Sequence, residues 1–281
     1  MHERSGSGTG RSRRTLKIMI QIKNSAEIEG MRQACRVAAD VLDEMLKLVA
    51  PGMSTWDLDQ AGREIMEKMG AKSTTINYKP AGMKPFPSYS CLSVNEEIVH
   101  GTGRRDKILH LGDIITIDVT VDYKGWVGDN ARTVAVGPVS EKVEKLLSVT
   151  SEALGIGISM ARNGNHIGDI SNAIQRHVEK NGFGVVREFV GHGVGRTMHE
   201  EPQIPNYGPR GRGPRLAPGM TICIEPMVTL GSPSLAIAPD GWMAYTRDGK
   251  QAAHFEHTVL VTREDPEILT IPSNKKNQRG A

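Results

Sequence analysis

The sequence is short of cysteine and aromatic residues, nearly neutral and free of long apolar runs, and each shortage excludes a class of protein. Its three cysteines, Cys35, Cys91 and Cys223, are odd in number, widely spaced and form no CxxC pair. That argues against a disulfide framework or a zinc knuckle and for reduced thiols in a cytoplasmic protein. A formal net charge of +3, with four Phe and five Tyr, supplies neither the field nor the stacking surface of a specific nucleic-acid binder. No stretch approaches the roughly 18 apolar residues of a membrane span. Residues 1–17 are rich in Gly, Ser and Arg and lack the apolar core of about 7–15 residues that a secretory signal needs. The leader, 1–18, is read as a disordered basic segment, with Arg11, Arg13 and Arg14 solvated.

What is present has the balance of a globular protein, 38% hydrophobic and 24% charged over 281 residues, and is read as one domain over 19–272 with a flexible tail at 273–281. Asn24 with Glu27 forms a capping-box pattern. Ile28, Met31, Ala34, Cys35, Ala38, Val41, Leu42, Met45 and Leu48 then recur at helical steps until Pro51-Gly52. A second helix opens at Ser54 and reaches Met69-Gly70. A similar pair follows, from Ser140 to Arg162 and from about Ile167 to Asn181-Gly182. Shifting by 112 positions superposes Gly52 on Gly164, Asp57 on Asp169, Ala61 on Ala173, Glu67 on Glu179, Lys68 on Lys180 and Gly70 on Gly182. The offset implies a duplicated unit and two pseudo-symmetric halves, about 24–137 and 138–272, with a binding site where they meet. Extended runs at Val185 to Val190, Met220 to Val228 and Ala252 to Val261 make the class α+β, with helices on the outer face of a curved antiparallel sheet.

The chemistry centres on residues 113–137, where two β-branched runs, Ile114 to Asp122 and Trp126 to Val136, flank a Gly-containing turn and predict a hairpin. A turn centred at Tyr123-Lys124 sets Asp118 and Asp129 nearly opposite each other. Buried together, they call for a cation; at a sheet edge, one of them simply faces solvent. Downstream, His192 stands among three glycines in Gly191 to Gly195, Glu225 ends an apolar run, and Glu256 lies inside another. The GxGxG echo of a nucleotide loop has no helix after it, and His199-Glu200-Glu201-Pro202 lacks the second His of a zincin helix. Asp118, Asp129, His192, Glu225 and Glu256 together form an oxygen-rich set suited to pairs of Mn, Fe, Co or Zn. His254 and His257 flank Glu256; alternation turns His257 to the opposite face, and His254 receives no role.

The order of these five residues, with the strings VNEEIVHG, DIITIDVTVDYKGWVGDNART, GHGVGRTMHEEP, PGMTICIEPMV and HFEHTVLVT, resembles the methionine aminopeptidases of type I in their short bacterial form, over about Asn24 to Pro272. The resemblance implies a pita-bread fold and removal of the initiator methionine from nascent chains whose second residue is small, by a hydroxide held between two divalent metals. It implies that Asp129 and Glu256 bridge the metals, that Asp118 completes one site, and that His192 with Glu225 completes the other. Glu225 would shuttle the proton, His199 would bond the carbonyl oxygen and His100 the scissile amide nitrogen. Phe86, Cys91, His100 and Trp242 would line the methionine pocket, with Met198 in place of the family's usual aromatic residue. Cys91 is expected to react with small alkylating agents. Two other readings remain: a proline-directed peptidase of the same fold, and a non-catalytic paralogue binding peptide or RNA. Need for nascent chains suggests a ribosome contact, with Arg11 to Lys17 and Lys275, Lys276 and Arg279 as the basic groups; no membrane partner is expected.

Overall fold

The structure is a computed structural model that describes residues 20–276; the leader expected at 1–18 lies outside the described residues. At its centre is the predicted hairpin, strands Ile114–Tyr123 and Trp126–Ala135. Ile115, Ile117, Val119 and Val121 bury one face of the first strand against Leu42, Met45, Leu58 and Met66. Period-two alternation then commits Thr116, Asp118 and Thr120 to the opposite face, over the cleft. The register differs from the expected one. Tyr123 pairs with Trp126, so the turn is Lys124-Gly125, one residue later than anticipated. Both turn residues have positive φ, 55° and 78°, as a two-residue hairpin turn requires. Asp118 therefore faces Ala131, and Asp129 faces Thr120. The two aspartates share a face as diagonal neighbours and are not directly opposed.

Four long helices cover the outer side: α1 (Ser25–Leu48), α2 (Thr55–Lys68), α3 (Glu141–Ser159) and α4 (Ile167–Lys180). The Asn24–Glu27 capping box closes the start of α1. The bounds of α2 and α4 differ by 112 at both ends (167 − 55 and 180 − 68). α1 and α2 pack on the hairpin, while Leu146, Ile170, Ile174 and Val178 of α3 and α4 pack on Ile222, Ile224, Val228 and Val259.

Among the described residues the main sheet has nine antiparallel strands, running from Lys72–Ser73 through the hairpin to Glu256–Leu260, Thr221–Ile224, Gly191–Gly193 and Glu200–Ile204. Two expected runs each divide in two. Met220 to Val228 breaks at Glu225-Pro226, and Ala252 to Val261 breaks at Phe255. Beyond each break, Met227–Thr229 and Ala252–His254 pair in a separate small sheet with Gly184–Val185. Pro226 has no N–H to continue a ladder, so the chain changes sheets there. The run expected at Val185 to Val190 is strand only at Gly184–Val185; beyond Val186, which bonds to the Met227 carbonyl, it leaves the sheet, and Phe189 packs instead on the His100 ring. The tail expected to be flexible from 273 begins with a helical turn, Ser273–Lys276. It is tied to α1 by Ser273 donating to Asp40 (2.6 and 2.7 Å) and by Asn274 donating to Asp43 (2.9 Å).

Gly128, one residue before Asp129, sets how closely α1 approaches the hairpin. A Cβ there would lie 2.5 Å from the Ala34 carbonyl oxygen and 2.7 Å from the Cys35 Cα, both backbone atoms that cannot rotate aside. Gly128→Ala should therefore destabilise the protein by about 1–3 kcal/mol in urea unfolding; an unchanged midpoint would mean that α1 is free to slide.

Candidate metal centre

The breaks in the sheets bring acids from separate strands to one place. Asp118 and Asp129 come from the hairpin. Glu256 pairs with Ala131 at the edge of the same face. Ile224 pairs with His257, so Glu225, just past the end of its strand, emerges beside Glu256. His192 is the middle residue of Gly191–Gly193. A Cβ at Gly191 would lie 2.3 Å from the Cys223 carbonyl oxygen, and one at Gly193 would lie 2.3 Å from that of Glu201. This short strand is clamped between two backbones, which accounts for the glycines on either side of the imidazole.

The His192 ring has its tautomer set by its own neighbour. Nδ1 lies 2.9 Å from the Gly193 carbonyl oxygen, which can only accept, so Nδ1 carries the proton and Nε2 offers a lone pair. Nε2 is 3.4 Å from Glu225 Oε1 and 3.8 Å from Asp129 Oδ2. Asp129 Oδ1 accepts from the Thr120 hydroxyl at 2.8 Å, whereas Asp118 Oδ1 and Glu256 Oε1 are buried without any hydrogen-bond partner. Burial pushes the Asp118 carboxyl up to about 7. Burial first, and the neighbouring carboxylates second, push Asp129, Glu225 and Glu256 well above the ordinary range. Lone pairs thus converge from four carboxyl groups and one imidazole with no cationic side chain among them, and a hard divalent cation is the partner that such a donor set fits.

Cys223 also reaches this centre: its Sγ and donor atoms of Asp129, His192 and Glu256 all lie within 4.8 Å of one another. Burial raises its thiol pKa well above normal, so sulfur stays protonated, 3.6 Å from the Thr258 hydroxyl. From the sequence, Cys223 is only a reduced thiol. Its one signal was standing two residues before Glu225.

Every residue expected to bind metal, act in catalysis or line the methionine pocket borders one cavity of about 470 Å³. Opposite the acids is an apolar wall, where Phe86, Cys91 and Trp242 are buried together and the Phe86 and Trp242 rings meet edge to face at 5.2 Å. Cys91 pairs with Asp118 across the sheet. Burial, then the charges of Asp118 and Asp129, hold its thiol pKa well up. A raised thiol pKa lowers the thiolate fraction that an alkylating agent entering the cavity would meet. His100 has a left-handed backbone, φ 59°, which turns its ring against Phe189 at 5.2 Å. Burial lowers its pKa to about 4. His199, also lowered by burial, lies 3.2 Å from the Tyr78 hydroxyl through Nδ1 and packs its ring edge to face on His192 at 4.5 Å. Met198 lines the same cavity, its sulfur 3.7 Å from the Thr74 hydroxyl. His257 turns away, as alternation required, and bonds Thr270 at 2.8 Å. His254 does not: it lines the cavity, although the sequence assigns it no role.

The chain resembles proteins of known activity over most of its length. The family model of Metallopeptidase family M24 matches residues 29–263. A methionine aminopeptidase of Clostridium acetobutylicum is 44% identical over 253 residues, covering 90% of this chain and 99% of the relative. The crystal structure of methionine aminopeptidase from Thermotoga maritima superposes with a TM-score of 0.85 at 45% identity, covering 90% of this chain and 99% of that one. A prolidase from Pyrococcus furiosus superposes at 0.70 with 22% identity, over 90% of this chain and 66% of its own; at that distance it shows the shared pita-bread fold alone.

The raised carboxyl pKa values give a signature in protein stripped with a chelator. Above the ordinary histidine range the unfolded chain has already released its carboxyl protons, while burial favours the protonated form of Asp118, Asp129, Glu225 and Glu256 in the folded protein. The unfolded state then binds fewer protons, and stability falls as pH rises. The buried histidines, with lowered values, are neutral in both states there and do not oppose the trend. The melting midpoint of chelated protein should therefore drop as pH rises above that range, and Mn(II) at pH 7.5 should raise it. A flat profile with no response to metal would contradict this account of the centre.

Proposed function

The chain belongs to metallopeptidase family M24, and we infer that it is a metal-dependent methionine aminopeptidase, removing the initiator methionine from nascent chains whose second residue is small. The observation that carries this reading is the pairing, in one cavity, of a carboxylate-rich cation centre with an apolar wall, in a chain matched over 90% of its length by an enzyme of that name. Asp118, Asp129, His192, Glu225 and Glu256 would hold two divalent ions. When bound, such a pair supplies Lewis acidity and lowers the pKa of water toward neutrality.

The remaining work falls to the chain's own groups. Phe86, Trp242 and Cys91 take the methionine side chain, with Met198 as an adaptable edge. His199 donates from Nε2 to the substrate carbonyl oxygen as charge develops there; the Tyr78 hydroxyl, donating to Nδ1, keeps the proton on Nε2. His100, aimed by its left-handed backbone, contacts the scissile amide. Glu225 accepts a proton on the nucleophile's side and returns it to the departing amine. A proline-directed specificity draws support only from the fold, and a non-catalytic role would leave an intact ligand set without use.

No helix among the described residues is long and apolar enough to cross a membrane, and all three cysteines are free thiols. Both observations fit a cytoplasmic enzyme that meets its substrates at the ribosome. Of the basic groups expected to make that contact, Lys275 and Lys276 sit on the helical turn Ser273–Lys276, while Arg11 to Lys17 and Arg279 lie outside the described residues. Trimming both termini should reduce co-sedimentation with ribosomes; equal pelleting would remove the termini from the contact.

The activity itself is tested with Met-Ala-Ser, Met-Val-Ser and Xaa-Pro peptides, using apo protein and protein given Mn(II) or Co(II). Metal-dependent release of Met, faster with Ala than Val at the second position and falling to the uncatalysed rate in Asp129→Asn, is expected. Cleavage of the Xaa-Pro peptides alone would move the specificity to the proline-directed class.

A further inference from the structure

We propose that His254 is a positioning residue for this centre: its imidazole donates from Nε2 to the Glu225 carboxylate and holds that side chain in place among the other acids. The proposal rests on the metallopeptidase reading of the site. His254 is 2% exposed, and neither ring nitrogen has a hydrogen-bond partner. A buried imidazole left so costs free energy unless one nitrogen finds an acceptor. Among the described residues, the one carboxylate within 4.0 Å is Glu225, whose Oε2 lies 3.7 Å from His254 Nε2. That distance is longer than a hydrogen bond, and rotation of the Glu225 carboxylate closes it.

Glu225 needs this donor. Its other oxygen faces His192 Nε2 at 3.4 Å, but the His192 proton is committed to Nδ1 and the Gly193 carbonyl, so His192 has nothing to donate. The Glu225 backbone is held on one side only, where its carbonyl accepts from Asn206 Nδ2 at 2.9 Å, and the next residue, Pro226, ends the ladder. Of the two imidazoles beside the carboxylate, His254 alone has a proton to give. His100, the other titratable group that bears on His254, is turned against Phe189 and Trp242. Across the ladder lies Met227, which is apolar and buried.

His254 is itself fixed from the hairpin. Its N–H donates to the Thr133 hydroxyl at 2.8 Å, and that hydroxyl donates back to the His254 carbonyl at 2.9 Å. Thr133 in turn meets the Thr116 hydroxyl at 2.7 Å. Two threonines on the strands that carry Asp118 and Asp129 thus fix the backbone of the residue that fixes Glu225. Partners of this kind behind a metal ligand typically govern about 10–100-fold in metal affinity or activity.

The test compares wild type, His254→Phe and His254→Gln, with His254→Leu as a second donor-free variant should the Phe protein not fold, each checked by thermal unfolding. Two readouts are taken: kcat and KM for Met-Ala-Ser, and calorimetric affinity for Mn(II). Loss of the donor should lower kcat by about 10–100-fold and weaken Mn(II) binding, with KM changed less than about twofold because His254 does not touch the apolar wall. Gln, which presents an N–H of its own, should recover most of both. A donor-free variant with wild-type kcat and affinity, or a Gln variant as impaired as Phe, would overturn the proposal. If wild type binds Mn(II) but releases no methionine, the peptidase reading fails, and the calorimetric comparison still judges His254.

Discussion

Carboxyl groups do not gather in an apolar interior without something to hold them, and here four of them converge with a single imidazole lone pair. Everything around the cleft follows from that unfavourable arrangement. Without cations, burial and mutual repulsion force the acids to keep their protons. With cations, the same burial makes each carboxylate a strong ligand, because no water competes for it. The scaffold must therefore be rigid enough to impose the geometry before metal arrives, and its stability must come from elsewhere. It comes from the two apolar layers between the helices and the sheet, where Leu42, Met45, Ile170 and Ile174 are fully or nearly fully buried.

The hairpin reconciles these demands through period-two alternation. One face spends its β-branched residues on the core beneath α1 and α2, and the other carries Asp118, Thr120, Asp129 and Thr133 toward the cleft. The diagonal placement of the two aspartates has a consequence. Directly opposed carboxylates would crowd a single cation, whereas diagonal neighbours stand up to about 7–8 Å apart at their backbones and leave room for a second. Thr120 satisfies one oxygen of Asp129 and leaves the other free to turn inward.

Much of this was legible in the residues. The helices announced themselves through apolar periodicity, the Asn24–Glu27 box and glycines at their ends. The four acids and the imidazole stood out because carboxylates inside apolar runs are rarely fully buried without partners. The hairpin register was not legible, since moving the turn by one residue leaves the hydrophobic pattern acceptable and shifts only the pairing. The strand breaks were hidden for a related reason: Phe255 is as good a strand residue as its neighbours, and only the change of sheets makes it a corner. His254 received no role because none of the roles that the resemblance implies falls on it, although alternation puts it on the same face as Glu256. Either side of Phe255, His254 and Glu256 both line the cleft.

Those corners explain why the site sits where it does. A regular strand presents every second side chain to one face at spacings near 6.6 Å, too far apart for ligands of a common ion. Convergence therefore requires several strands or irregular backbone, and the chain uses both. Glu225 projects from the residue before Pro226, where the ladder has just ended. Glu256 begins a strand directly after a break. His192 rides on a three-residue strand that glycines allow to lie between two backbones, and His100 is turned inward by a left-handed backbone that a β-branched residue would resist. Each irregularity gives up ladder hydrogen bonds or adds strain, and each aims a polar side chain at the same small volume. The regular elements supply stability and the irregular ones supply aim, so the departures from ideal sheet geometry mark the residues that act.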